Sequence, residues 1–151
     1  MLSWLPRYLQ YLSSLKVAKN QIPGIMGENW HNVGAQNEPV FVTPWRSYSA
    51  GASAYGWVRF FKDYLGFVHL EGIAETTGTP TGPTLFSLPA GYRPSQALIF
   101  TARATTVVGQ PVDSVRIDIL GTGEVQVIAP DNSKFTSGSA LSLAGIHFRA
   151  M

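Results

Sequence analysis

From about residue 40 onward the pattern of apolar and polar residues becomes that of short β-strands separated by turn formers. Val115-Arg116-Ile117-Asp118-Ile119 alternates strictly and meets Glu124-Val125-Gln126-Val127-Ile128 across Gly121-Thr122-Gly123, a hairpin pattern. Trp57-Val58-Arg59-Phe60-Phe61 reaches Phe67-Val68-His69-Leu70 through a short turn containing Asp63 and Gly66. The same pattern predicts strands at 40–46, 57–62, 66–75, 84–88, 97–104, 114–120, 124–129 and 142–149. Short strands with irregular connections predict an all-β fold, a β-sandwich or jelly-roll-like domain.

The first residues follow another period. Leu5, Tyr8, Leu12, Leu15 and Ile22 recur at spacings of three and four, with Leu9 widening the stripe and Lys19 interrupting it. This predicts one N-terminal α-helix over 6–21, stopped by Pro23-Gly24. A helix of about four turns is marginal alone in water, so its stripe must dock on something. A short three-helix stem and attachment to another protein both satisfy that need. Residues 24–43 mix Ile25, Met26, Trp30 and Val33 with Gly, Asn and Pro, which predicts an extended connector lying on a surface. The organisation expected is therefore an attachment segment, 1–39, and a β-sandwich head, 40–151.

Composition narrows the chemistry. Of 151 residues only 13% are charged, and the net charge is +2 with the basic residues scattered singly. Nucleic-acid binding needs several phosphate-neutralising charges on one face, so it is not expected. The absence of cysteine excludes disulfides and thiol catalysis. The chain has no run of 18 apolar residues, so no membrane insertion is expected. The first residues lack a signal peptide's basic start and cleavage site.

Catalytic constellations are missing too. His31, His69 and His147 lie far apart and form neither H-x-x-x-H nor H-E-x-x-H, so no metal site or cofactor is expected. The nucleophile elbow G-x-S-x-G is absent. Glu71 and Glu75, read on one strand, would stand about 13 Å apart, too far for a glycosidase pair unless the strand bends. His69 and His147 alternate with apolar residues and read as structural histidines. Aromatics remain: Trp45, Tyr48, Tyr55 and Trp57 flank a small Ser/Gly/Ala-rich loop, a composition suited to adaptable recognition. The alternative is that Trp45 and Trp57 fill the core.

Leu88-Pro89-Ala90-Gly91-Tyr92-Arg93-Pro94 reads as a rigid corner. The two prolines cannot donate ladder hydrogen bonds. Gly91 sits where a positive φ is expected. Tyr92 is expected to turn inward as a buried anchor, with Arg93 helping to lock the loop. Together with Tyr64-Leu65-Gly66-Phe67-Val68-His69-Leu70-Glu71-Gly72 upstream, this segment resembles the C-terminal head domains of bacteriophage tail-fibre and minor tail proteins. The resemblance spans roughly residues 43–148. It implies a structural and adhesive protein, not an enzyme, located in the virion and assembled in the host cytoplasm. It also implies a homotrimer and a host cell-surface glycan as ligand; the helix and connector of residues 1–39 are then expected to bind other virion proteins. A non-adhesive plug or capsid decoration, and a cell-wall glycan depolymerase, are the alternatives.

Overall fold

Alternation resolves into two sheets in the computed structural model, which describes residues 28–48, 55–105, 112–128 and 135–151. The predicted helix, with Leu5, Tyr8, Leu9, Leu12 and Leu15, lies outside the described residues. The strands are β1 (His31–Asn32), β2 (Trp45–Ser47), β3 (Arg59–Lys62), β4 (Phe67–Glu71), β5 (Ile73–Thr76) and β6 (Thr84–Ser87). They continue with β7 (Leu98–Thr105), β8 (Val112–Ile119), β9 (Glu124–Ile128), β10 (Ala140–Ser142) and β11 (Ile146–Arg149). One sheet runs β1-β3-β4-β11 and the other β2-β5-β10-β7-β8-β9-β6.

Register follows the apolar phase. Ile117 faces Val127 and Ile119 faces Val125 across β8 and β9, and all four are buried. In the smaller sheet Phe60, Val68, Leu70, Ile146 and Phe148 turn inward. They join Leu85, Phe86, Ile117 and Leu141 of the larger sheet in one core. Phe100 and Phe148 bring their ring centroids to 6.4 Å across that core. Burying each such side chain stabilises the fold by roughly 1.5–3 kcal/mol.

Two predicted strands are each divided. The 66–75 run breaks at Gly72, where φ is +97°, so β4 belongs to the small sheet and β5 to the large one. The 142–149 run breaks at residues 143–145, separating β10 from β11 in the same way. The breaks coincide in space. β4 pairs with β11 and β5 with β10, and the Leu143 amide donates to the Gly72 carbonyl at 2.9 Å. A two-stranded ribbon thus passes from one sheet into the other, the corner construction by which strands switch sheets.

The predicted 40–46 strand shortens to β2, and Val40 and Val42 are exposed. Pro39 and Pro44 supply no amide for a ladder there. Residues 28–39, expected as connector, run as part of the β-body. β1 pairs with β3, His31 opposite Phe60, and Val33 is buried in the core. Among the described residues, no helix is long and apolar enough to cross a membrane.

Candidate functional site

Of the four aromatics singled out from sequence, Trp45 is withdrawn from the surface. It is 4% exposed and packs edge-on to Phe135 at 5.5 Å. Tyr48 and Tyr55 meet edge to face at 5.4 Å, and Tyr55 and Trp57 are exposed. The intervening residues 49–54 lie outside the described set. Glu71 and Glu75 fall on strands of different sheets. Each meets an arginine: Arg59 contacts Glu71, and Arg46 contacts Glu75 at 2.8 Å.

The 88–94 segment forms a tied corner. Leu88 and Pro94 are buried. The Leu88 amide donates to the Gly123 carbonyl at 2.9 Å, and Arg93 Nε donates to the Leu88 carbonyl at 2.9 Å. Gly91 has φ +87°. Its carbonyl accepts from Lys62 Nζ at 3.0 Å. Pro89 accepts from the Tyr92 amide at 3.2 Å. Tyr92 is only partly buried, not the enclosed anchor expected, because its ring tip meets polar groups. The ring packs against Phe60, centroids 5.0 Å apart, under the Lys62 ammonium. His31 Nδ1 lies 2.8 Å from Glu38, and its Nε2 lies 3.2 Å from the Tyr92 hydroxyl, with the Glu28 carboxylate beside both. Burial, followed by the nearby Glu28 carboxylate, pushes the Tyr92 pKa well up. Here the corner is fastened to β1, β3 and the β8–β9 turn.

The outer face of the small sheet carries a groove that sequence reasoning missed. Because Phe60, Val68, Leu70, Ile146 and Phe148 face inward, Arg59, Phe61, Phe67, His69, Glu71, His147 and Arg149 must face out. Register then sets Phe61 opposite His69 and His69 opposite His147. The three rings stack in a row. Phe61 and His69 lie 4.7 Å apart at 12°, and His69 and His147 lie 5.9 Å apart at 22°. Trp30, just before β1, stands edge to face with Phe61 at 4.4 Å, and Arg59 lies 4.4 Å over its ring. These rings, Glu71 and the 144–146 turn line an open groove of about 260 Å³. The alternating burial of 67–71 and 146–149 marks this face, and His69 and His147 at the outward positions were the signal available for it.

Charges in the groove are largely paired. His69 Nε2 lies 2.9 Å from Asp63 Oδ2. Asp63 Oδ1 also accepts from the Leu65 and Phe67 amides, both at 2.9 Å. The His69 hydrogen bond, reinforced by these amides, holds the Asp63 carboxyl below the usual carboxylate range. His147 Nδ1 donates to the Gly145 carbonyl at 3.2 Å, leaving Nε2 outward as an acceptor. Among the described residues, no group of three or more His, Asp or Glu could hold a metal ion. The groove is equipped to bind by ring stacking and hydrogen bonding.

No family model matches this chain, and no curated protein matches it. Among solved structures it is similar to the crystal structure of the receptor binding protein (gp15) of Listeria phage PSA. The TM-score is 0.57 at 14% identity, covering 95% of this chain and 78% of that one. At that identity the likeness is one of fold.

Proposed function

We propose that this chain is a bacteriophage virion protein of the tail tip, a receptor-binding or minor tail protein that attaches the particle to a host surface. The observation that carries this reading is the fold likeness to a phage receptor binding protein over 95% of the chain. The local resemblance at residues 64–94 points the same way from different information, because it rests on side-chain order and not on backbone geometry.

The reading includes a homotrimer of β-domains held to the particle through residues 1–39. Weak individual sites multiplied by symmetry then give useful avidity. No covalent step is needed for this role, and the paired state of Glu71 and Glu75 suits a binding protein. The test is to incubate fluorescently labelled protein with a panel of bacterial strains. Saturable labelling of at least one strain, lost when surface polysaccharide is stripped, is expected. Absence of labelling across the panel counts against adhesion. Sedimentation of the full chain should give a trimer mass, and a stable monomer at micromolar concentration removes the trimer from the reading.

A further inference from the structure

We infer that the groove over β3, β4 and β11 binds one uncharged saccharide ring. This rests on the adhesive reading and adds to it a location and a ligand chemistry. An antiparallel sheet normally turns polar side chains to water. This one turns Trp30, Phe61, His69 and His147 outward and only partly covers them. His69 has its two faces covered by Phe61 and His147, so the outer face of His147 is the one left for a guest to stack on.

The layout fits a ring-shaped guest. The Phe61–His69–His147 row crosses three strands, and β11 is the last strand of its sheet. Among the described residues, the far side of His147 therefore has no neighbouring strand in that sheet. Trp30 lines the same groove, with Gly145 adding no side chain to its wall. A pyranose offers C–H faces that the negative face of an aromatic ring attracts, and a rim of hydroxyls. A volume of about 260 Å³ lies just below the usual range of drug-sized pockets, roughly 300–1,000 Å³, and suits a single ring.

Charge selects the class. Glu71 is already paired with Arg59, and His69 is already bonded to Asp63. A charged guest seated on Glu71 or His69 must compete with one of these pairs. A neutral polyol need not: the remaining lone pairs of Glu71, spare N–H groups of Arg59 and Nε2 of His147 can all serve hydroxyls without separating a pair. Such a paired carboxylate and guanidinium acts as a hydrogen-bonding fork with little net charge.

The test uses the full chain and free glucose, galactose, N-acetylglucosamine and rhamnose, with glucose 6-phosphate as the charged comparator. Binding is read by NMR shift mapping at millimolar sugar. At least one neutral sugar should give saturable shifts confined to the Trp30 indole and the His69 and His147 rings. His147→Ala and Trp30→Ala should each weaken binding roughly tenfold or more, while Ile99→Ala on the opposite sheet should not. His147 is exposed, so its variant keeps the test valid if Trp30→Ala fails to fold. Shifts centred on Tyr48, Tyr55 and Trp57, tighter binding of the phosphorylated sugar, or no shift with any sugar would overturn the proposal. If cells are labelled equally by wild type and His147→Ala, adhesion stands and the groove assignment falls. If neither cells nor sugars bind, both fall.

Discussion

Replacing Gly72 by alanine tests whether the ribbon corner controls stability. A Cβ at Gly72 would lie 2.0 Å from the Trp57 carbonyl oxygen and 2.4 Å from its carbon. Carbon atoms in contact prefer about 3.5–4.0 Å, so backbone must retreat by about 1 Å or more. That retreat pulls on Val58, which is fully buried. It also strains the bond from the Val33 amide to the Val58 carbonyl, 2.9 Å, and that from Ile73 to Gly56, 3.3 Å. Holding a non-glycine residue at positive φ costs roughly 1–2 kcal/mol. Each weakened hydrogen bond adds up to about 0.5–1.5 kcal/mol, and overpacking adds about 1 kcal/mol or more. The sum is roughly 3–6 kcal/mol, a large share of a domain's typical 5–15 kcal/mol. At about 2–4 °C per kcal/mol for this size, the thermal midpoint should fall by roughly 6–24 °C. Gly145→Ala is the control. It has φ +86° but nothing within 4 Å of the added carbon, so only the conformational cost applies. Circular dichroism melts of both variants give the comparison. Midpoints within about 2 °C of each other would refute the steric argument.

The 88–94 corner makes a parallel comparison: a Cβ at Gly123 would come within 2.6 Å of the Leu88 carbonyl oxygen, whereas one at Gly91 meets only Lys62 Nζ at 3.8 Å. Gly123→Ala should therefore lower the urea midpoint clearly more than Gly91→Ala, and equal midpoints would disprove it. Tyr92→Phe keeps the ring packing and loses the bond to His31, so urea unfolding should show a loss of about 0.5–1.5 kcal/mol; no loss would mean that the hydroxyl contact contributes nothing. Because the Asp63 pKa is depressed in the folded state, its contribution is present above the unfolded pKa, about 3.9, and disappears as pH falls through the folded value. Asp63→Asn should thus be less stable than wild type at pH 7, with the difference shrinking below about pH 4; a gap that widens in acid contradicts this.

Much of the fold was legible where alternation was uninterrupted and both partners were close in sequence. β8 and β9 form as their pattern predicts, because placing Val115, Ile117 and Ile119 on one face leaves one register with Val125 and Val127 inward. The sheet switches were not legible. Across Gly72 the run still looks like strand, and only the approach of the Trp57 backbone shows why the chain must turn there. Trp45 and Trp57 look alike in sequence, yet one meets Phe135 and the other solvent, a difference set by contacts distant along the chain. The groove was missed for a related reason. Taken singly, His69 and His147 read as structural histidines, whereas register sets them opposite each other on neighbouring strands.

The shared ribbon also has a mechanical consequence. In a sandwich whose sheets touch only through side chains, tension on one sheet can peel it from the other. Here β4 continues into β5 and β10 into β11, so a pull on His147 or Glu71 travels along covalent backbone into the larger sheet. Separating the layers would require both strands of the ribbon to straighten together. A load placed on the smaller sheet is therefore shared by the larger one before the layers can part.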